Sequence, residues 1–221
     1  MEPTSRSTVR RLAELAAYDF ETVEAVLDAG VVAHVGISSH GAPVVIPMAY
    51  ARVGDTLYVH GSSASRVMRI LKTGDPICIT VTIVDGIVLA RSAFNMSMNY
   101  RAVIVHGRAR LVADPDERMT AFRAIMDHFV PGHWNEVRPP NDIELRQTLV
   151  TAVKLDEVSA KVRFGPPEDE VEDLELPIWA GEIPLRTVAG APVADPGVLD
   201  GIPAPASVSR YARRFDPTGP Q

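Results

Sequence analysis

Apolar positions near the start of the chain recur at helical spacing. Leu12, Leu15 and Ala16 predict a short amphipathic helix over 9–18. Val23, Val26 and Leu27 predict a second, with Asp19 as its N-cap and Gly30 as its stop. From Val31 the period shortens to that of strands. Residues 31–38 are rich in β-branched side chains and end at the turn Ser39-His40-Gly41-Ala42, and 44–51 return as the second strand of a hairpin. Val53-Gly54-Asp55 makes the next turn and 56–60 the third strand. A helix from Ser63 or Ala64 to about Lys72 turns Val67, Ile70 and Leu71 inward and stops at Gly74-Asp75-Pro76. Residues 76–84 read as a strand, Asp85-Gly86 as a two-residue hairpin turn and 87–91 as the return strand. The longest strand candidate is 100–112, with a bulge or barrel corner at Gly107. Asp114 and Pro115 open a helix that Pro131-Gly132 closes, 148–155 form another strand and 160–164 continue it. Short strands joined by tight turns, with a few helices beside them, predict a mainly β, α+β fold built on an antiparallel barrel.

The two ends differ from this middle. Residues 1–8 are short and polar and are expected to be flexible, and 9–165 form one domain. Residues 166–221 are acidic at 168–175 and then rich in proline; such a segment holds no core of its own, so it wraps the barrel or a partner subunit, or stays partly disordered. Of the 221 residues 46% are hydrophobic and 23% charged, the balance of a globular protein. No apolar run approaches the ~20 residues of a membrane span, and the first residues lack a leader-like pattern, so a cytoplasmic protein is expected, without membrane contact. Cys78 is the one cysteine; within Ile77-Cys78-Ile79 it is expected as a buried, inert thiol. A net charge of −6 argues against nucleic-acid binding but leaves room for a local basic site for one phosphorylated ligand.

Three segments carry candidate chemistry. In Val59-His60-Gly61-Ser62-Ser63-Ala64-Ser65-Arg66 a strand ends, serines turn the chain and a helix opens on an arginine. Free backbone N–H groups, hydroxyls and a guanidinium make a competent phosphate cradle. A serine-rich turn with an N-cap explains the same residues, and the Gly-Lys-Ser/Thr end of a P-loop is absent. His60 stands beside that turn, placed to touch a cofactor, give a proton to a substrate or simply bond the turn. The other histidines (34, 40, 106, 128 and 133) lack metal-ligand spacing, so no metal site is expected. In the second segment, Phe94-Asn95-Met96-Ser97-Met98-Asn99-Tyr100-Arg101, Tyr100 and Arg101 could line a planar ligand, or the whole could be a solvated loop. In the third, Trp179 sits in a proline-bounded apolar island, which suggests docking onto the protein's own surface more than onto a cofactor. A Gly-x-Ser-x-Gly elbow and a dinucleotide fingerprint are both missing.

Together these segments resemble the pyridoxamine 5′-phosphate oxidase-related superfamily, and within it the flavin-nucleotide-binding branch that includes nitroimidazole-reductase-like proteins. The resemblance rests on Gly41-Ala42-Pro43-Val44-Val45-Ile46-Pro47-Met48-Ala49-Tyr50, on Leu57-Tyr58-Val59-His60-Gly61-Ser62, on Asn99-Tyr100-Arg101-Ala102-Val103, and on Trp179-Ala180-Gly181-Glu182-Ile183-Pro184-Leu185. It implies an antiparallel split β-barrel of the FMN-binding type, working as a homodimer with a flavin in each of two clefts at the subunit interface. By the same resemblance Ser62, Ser65 and Arg66 hold the flavin phosphate, and Pro47, Met48 and Ala49 run beside the isoalloxazine ring. Thr80 and Thr82 reach the ribityl chain or ring edge, and Trp179 packs near the cofactor. FMN is expected, with FAD served by the same cradle. The activity implied is flavin-dependent oxidation or reduction of a small planar or electron-poor substrate, with His60 as proton donor or substrate contact. Two alternatives stay open: a flavin or haem carrier with His34, His60 or His106 as iron ligand, and a reductase using the deazaflavin F420. The oxidases' substrate-binding pattern near the C-terminus is absent, so pyridoxamine phosphate oxidation is not implied.

Overall fold

The computed structural model describes residues 1–211. Strand β1 (Ala16–Ala17) precedes helix α1 (Phe20–Ala29), and four strands follow: β2 (Ala33–Ser39), β3 (Ala42–Met48), β4 (Tyr50–Val53) and β5 (Thr56–Ser62). Helix α2 (Arg66–Leu71) leads to β6 (Pro76–Leu89), β7 (Ser97–Arg108) and β8 (Arg110–Leu111). Then come α3 (Pro115–Phe129), α4 (Asp142–Gln147), β9 (Thr148–Lys154), β10 (Glu157–Arg163), β11 (Gly181–Pro184) and α5 (Ala206–Arg210). All pairings are antiparallel. One sheet runs β1-β10-β7-β6-β2-β3, with β11 added to β6, and the other β4-β5-β9-β8. Chain passes from the first sheet to the second at Ala49, between β3 and β4, and the two sheets make a split barrel around one core. Among the described residues no helix is long and apolar enough to cross a membrane.

Alternation fills that core: Val35 and Ile37 of β2, Ile77, Ile79 and Val81 of β6, Val103 and Val105 of β7, and Leu57 and Val59 of β5 all point inward. Helix α1 closes one side with Val23, Val26 and Leu27. As expected, the Asp19 side chain caps it, accepting from the Thr22 N–H at 2.7 Å, and Gly30 follows its last turn. Gly30 has an ordinary φ of −69°, so its reason is space: a Cβ there would lie 2.3 Å from Val81 Cγ1 and 2.8 Å from the Tyr50 hydroxyl. That hydroxyl donates to the Leu27 carbonyl, and His128 Nε2 lies 2.8 Å from the Gly30 carbonyl. On the far side of the second sheet, Ala51, Tyr58, Val150 and Ala152 pack on Ala121 and Ile125 of α3 in a second cluster.

Four expectations are corrected. No helix forms over 9–18: Leu12 takes a left-handed conformation (φ 53°), one turn of 3-10 helix covers Ala13–Leu15, and Ala16 and Ala17 pair with Lys161 and Ala160. Residues before it also find partners, since Arg6 and Thr4 bond the Glu157 carboxylate and Ser7 is buried. Asp85-Gly86 is not a hairpin turn but a bulge inside a single 14-residue strand. Here β7 continues to pair on one side and β11 covers the other, so the chain has neighbours on both edges and runs straight on. Arg101 locks the bulge with two bonds to the Asp85 carboxylate, at 2.9 and 2.7 Å, and the Leu185 N–H donates to the Asp85 carbonyl at 2.9 Å. The strand expected from 100 begins earlier, so 97–99 are strand and not solvated loop, and Asn99 is buried there, receiving Arg163 Nη1 at 2.6 Å and donating to the Gly165 carbonyl at 3.1 Å. Cys78 is half-buried rather than buried, and its burial pushes the thiol pKa up.

Candidate functional site

Strand β5 serves two compartments. Its alternation sends Leu57 and Val59 into the barrel and Tyr58 and His60 toward α3. Opposite His60, α3 presents Phe122, Ile125, Met126 and Phe129, spaced i, i+3, i+4, i+7 along one face. The segment after α3 folds back over them with Trp134, Val137, Arg138 and Pro140, and Glu144 of α4 completes an open cavity of about 510 Å³. The walls are firmly held. Arg118 lies 5.9 Å over the Phe122 ring and donates to the Thr148 carbonyl at 2.6 Å, tying α3 to β9. The turn that carries Trp134 is fixed to α5 through His133 Nδ1 and Ser207 Oγ at 2.9 Å and the Ser207 N–H to Glu136 at 3.2 Å.

At the wall of this cavity His60 Nδ1 has no hydrogen-bond partner among the described residues. That nitrogen is buried, and the ring meets Phe122 edge-on at 6.1 Å. Desolvation pushes the imidazole pKa down. The ring is therefore neutral at pH 7 and keeps a nitrogen lone pair for an acid or an electrophile.

The other expected site residues fall into two groups. Ser62 ends β5, Ser65 is the N-cap of α2 and Arg66 its first residue. The Ser65 hydroxyl caps nothing, and the exposed Arg66 guanidinium has no partner among the described residues. Helix α2 is only six residues long, so the side chains, more than a helix dipole, are what this turn can offer an anion. Pro47, Thr80 and Thr82 lie on the outer face of the larger sheet: Pro47 and Thr80 both pair with His34, and Tyr100 joins the face opposite Val84. Met48 and Ala49 form the passage between the sheets, with the Met48 methyl 3.9 Å from where a Cβ on Gly61 would sit.

Arg101, by contrast, is spent on Asp85. Trp179 packs over Gly181, where a Cβ would approach its ring to 2.8 Å, and is 67% exposed. It is not among the residues around His60. His34 is exposed on the outer sheet face, and His106 stands beside Cys78 on β6 and Glu157 on β10. Sequence reading missed the whole opposite wall of the His60 cavity, although the apolar spacing of α3 and the Asn141-x-x-Glu144 capping box were both legible.

A pyridoxamine 5′-phosphate oxidase family model matches residues 19–162. The chain belongs to that family. Among its solved members, the flavocytochrome Anf3 from Azotobacter vinelandii is 42% identical over 94% of this chain and 97% of that one, with a TM-score of 0.90. The FAD and haem binding protein from Mycobacterium smegmatis is 38% identical over 88% and 96%, with a TM-score of 0.85. A candidate 5-nitroimidazole antibiotic resistance protein from Bacteroides thetaiotaomicron is 26% identical over 70% and 90%, with a TM-score of 0.58. No curated protein matches the chain. As in other pyridoxamine 5′-phosphate oxidase family members, the strands form the split barrel expected from the sequence.

Proposed function

We propose that this protein is a flavocytochrome-type oxidoreductase that binds FAD and haem, with His60 as the iron ligand. The observation that carries the reading is the half-buried imidazole, its Nδ1 buried and unpaired, that lines an apolar cavity. A neutral histidine without a hydrogen bond is costly for a fold to keep, and it is the form that ligates iron. Phe122, Ile125, Met126, Phe129 and Trp134 offer the apolar and aromatic surface a porphyrin needs. Two relatives that match over most of the chain, a flavocytochrome and an FAD and haem binding protein, support the same reading. Of the three histidines considered as ligands, His60 alone lines this cavity, so the haem reading moves ahead of His60 as proton donor.

Ser62, Ser65 and Arg66 hold the flavin phosphates, Pro47, Met48 and Ala49 flank its ring, and Thr80 and Thr82 supply hydroxyls from β6. FAD is favoured over FMN and F420 by the Mycobacterium relative. When bound, the flavin supplies hydride and single-electron chemistry and the haem iron single-electron exchange. The chain holds both groups, excludes water from the imidazole and keeps it unprotonated.

A homodimer supports the same arrangement. The larger sheet leaves Val45 (60% exposed), Val84 and Ile104 on its outer face, an apolar surface that a second copy would cover and that would bring the flavin residues to the interface. The direct test is the visible spectrum of the purified protein. A Soret band together with a flavin released by acid is expected, and His60→Ala loses the Soret band while keeping the flavin. Retention of the Soret band by His60→Ala would overturn the assignment.

A further inference from the structure

Around the His60 cavity the walls are apolar except at the rim, where Arg138 and Glu144 face each other. Arg138 Nη1 donates to Glu144 Oε2 at 2.8 Å and Nη2 to Oε1, a bidentate pair. Arg138 Nη1 also reaches the Pro139 carbonyl at 3.1 Å. Glu144 is held from behind as well, accepting the Asn141 N–H at 2.9 Å while its own N–H donates to Asn141 Oδ1 at 3.0 Å. This capping box fixes the carboxylate at one spot, and Arg138 comes to it from the preceding loop. Its side chain is 67% exposed and that of Glu144 42%, so the pair lies where the cavity meets solvent.

A ligand in such a cavity must be apolar in its body. A ligand with anionic ends would have to bring them out at the rim. There it meets one guanidinium and one carboxylate, and the carboxylate already occupies the guanidinium's fork. We infer that Arg138 is the anchor for the carboxylates of the bound haem, and that Glu144 is a stand-in occupying the anchor until those carboxylates arrive. This rests on the haem reading above and names the residue pair that senses haem charge. The two residues then have opposite effects. Removing Arg138 takes away an attraction, whereas removing the charge of Glu144 takes away a competitor and a repulsion. A purely structural ion pair behaves differently, because breaking it from either side does the same damage.

Haem-free protein is titrated with ferric haem and, separately, with its dimethyl ester, which keeps the ring and iron but has no anionic ends. Arg138→Gln is expected to weaken haem binding roughly fivefold to tenfold. Glu144→Gln is expected to strengthen it by roughly threefold, since Gln keeps the capping box. Neither substitution is expected to shift binding of the ester by more than about twofold. Changes of the same sign in both variants, or equal changes for haem and ester, would overturn the anchor while leaving haem binding intact. If wild-type protein takes up neither form, the haem reading itself fails and the anchor with it. Circular dichroism of each variant identifies misfolding; should Arg138→Gln misfold, the sign of the Glu144→Gln effect decides alone.

Discussion

Replacing His60 by leucine should make the haem-free protein more stable, an unusual result for a change at a functional residue. The wild-type ring keeps Nδ1 buried without a partner among apolar neighbours. Such a group costs about 1–3 kcal/mol. Leucine of similar bulk removes that cost and adds apolar contact with Phe122 and Ile125, so a net gain of roughly 1–2 kcal/mol is expected. For a chain of this length that is a rise in Tm of about 2–8 °C. Acidity enlarges the difference. Burial holds the folded pKa of His60 below its ordinary 6.5. Below that value the unfolded chain takes up a proton that the folded ring refuses, so wild-type stability drops as pH falls from neutral toward the folded pKa. Leucine has no such dependence, and other titrating groups are common to both proteins. Thermal melts of haem-free wild type and His60→Leu, at one protein concentration and at pH 7.5 and 5.5, give the comparison. The variant should melt higher at both and by the larger margin at pH 5.5. A variant that melts lower at both, with no widening, would mean that the ring is an ordinary member of the packing and that its unpaired nitrogen costs nothing.

Other expectations follow from single contacts. Arg66→Ala should weaken FAD about tenfold in a fluorescence titration and leave the Soret band alone, because Arg66 belongs to the turn after β5 and not to the His60 cavity; unchanged affinity would remove the turn from the flavin site. Gly30→Ala should cost roughly 3 kcal/mol in urea unfolding, since its methyl would displace Val81 and push the Tyr50 hydroxyl off the Leu27 carbonyl; a loss under about 1 kcal/mol would mean that the helix end shifts freely. Ile104→Glu, on the outer sheet face, should convert a dimer to a monomer in light scattering, and a dimer unaffected by it would place the interface elsewhere.

Local signals made the barrel legible, and relations between distant segments hid the rest. Asp19, Gly30, Asp114 and Pro115 act through groups a few residues away, so α1 and α3 were readable from the sequence. Asp85-Gly86 misleads for the opposite reason: its dipeptide favours a tight turn, but Arg101 and the tail strand, 16 and about 100 residues away, hold it extended. Residues 9–18 fail similarly, because pairing with β10 outweighs a weak helical pattern. At the site, the serine turn and His60 were visible as residue types. Which way His60 points was not, because that depends on β5 being covered on both faces. Only with α3 in place does the apolar spacing of Phe122, Ile125, Met126 and Phe129 become a cavity wall instead of helix packing.

Strand β5 links two rooms along its length. His60 looks into the α3 cavity, and two residues on, Ser62 ends the strand and leads into the serine turn proposed for the flavin. Along a strand that is a spacing of about 6.6 Å between α-carbons. With one redox group fastened at each address, their separation is set by covalent geometry, with no hinge or docking event to tune. Electron exchange between them would then be insensitive to viscosity and to the tail's position. An insertion or deletion at Gly61 would uncouple them even if each room still bound its tenant.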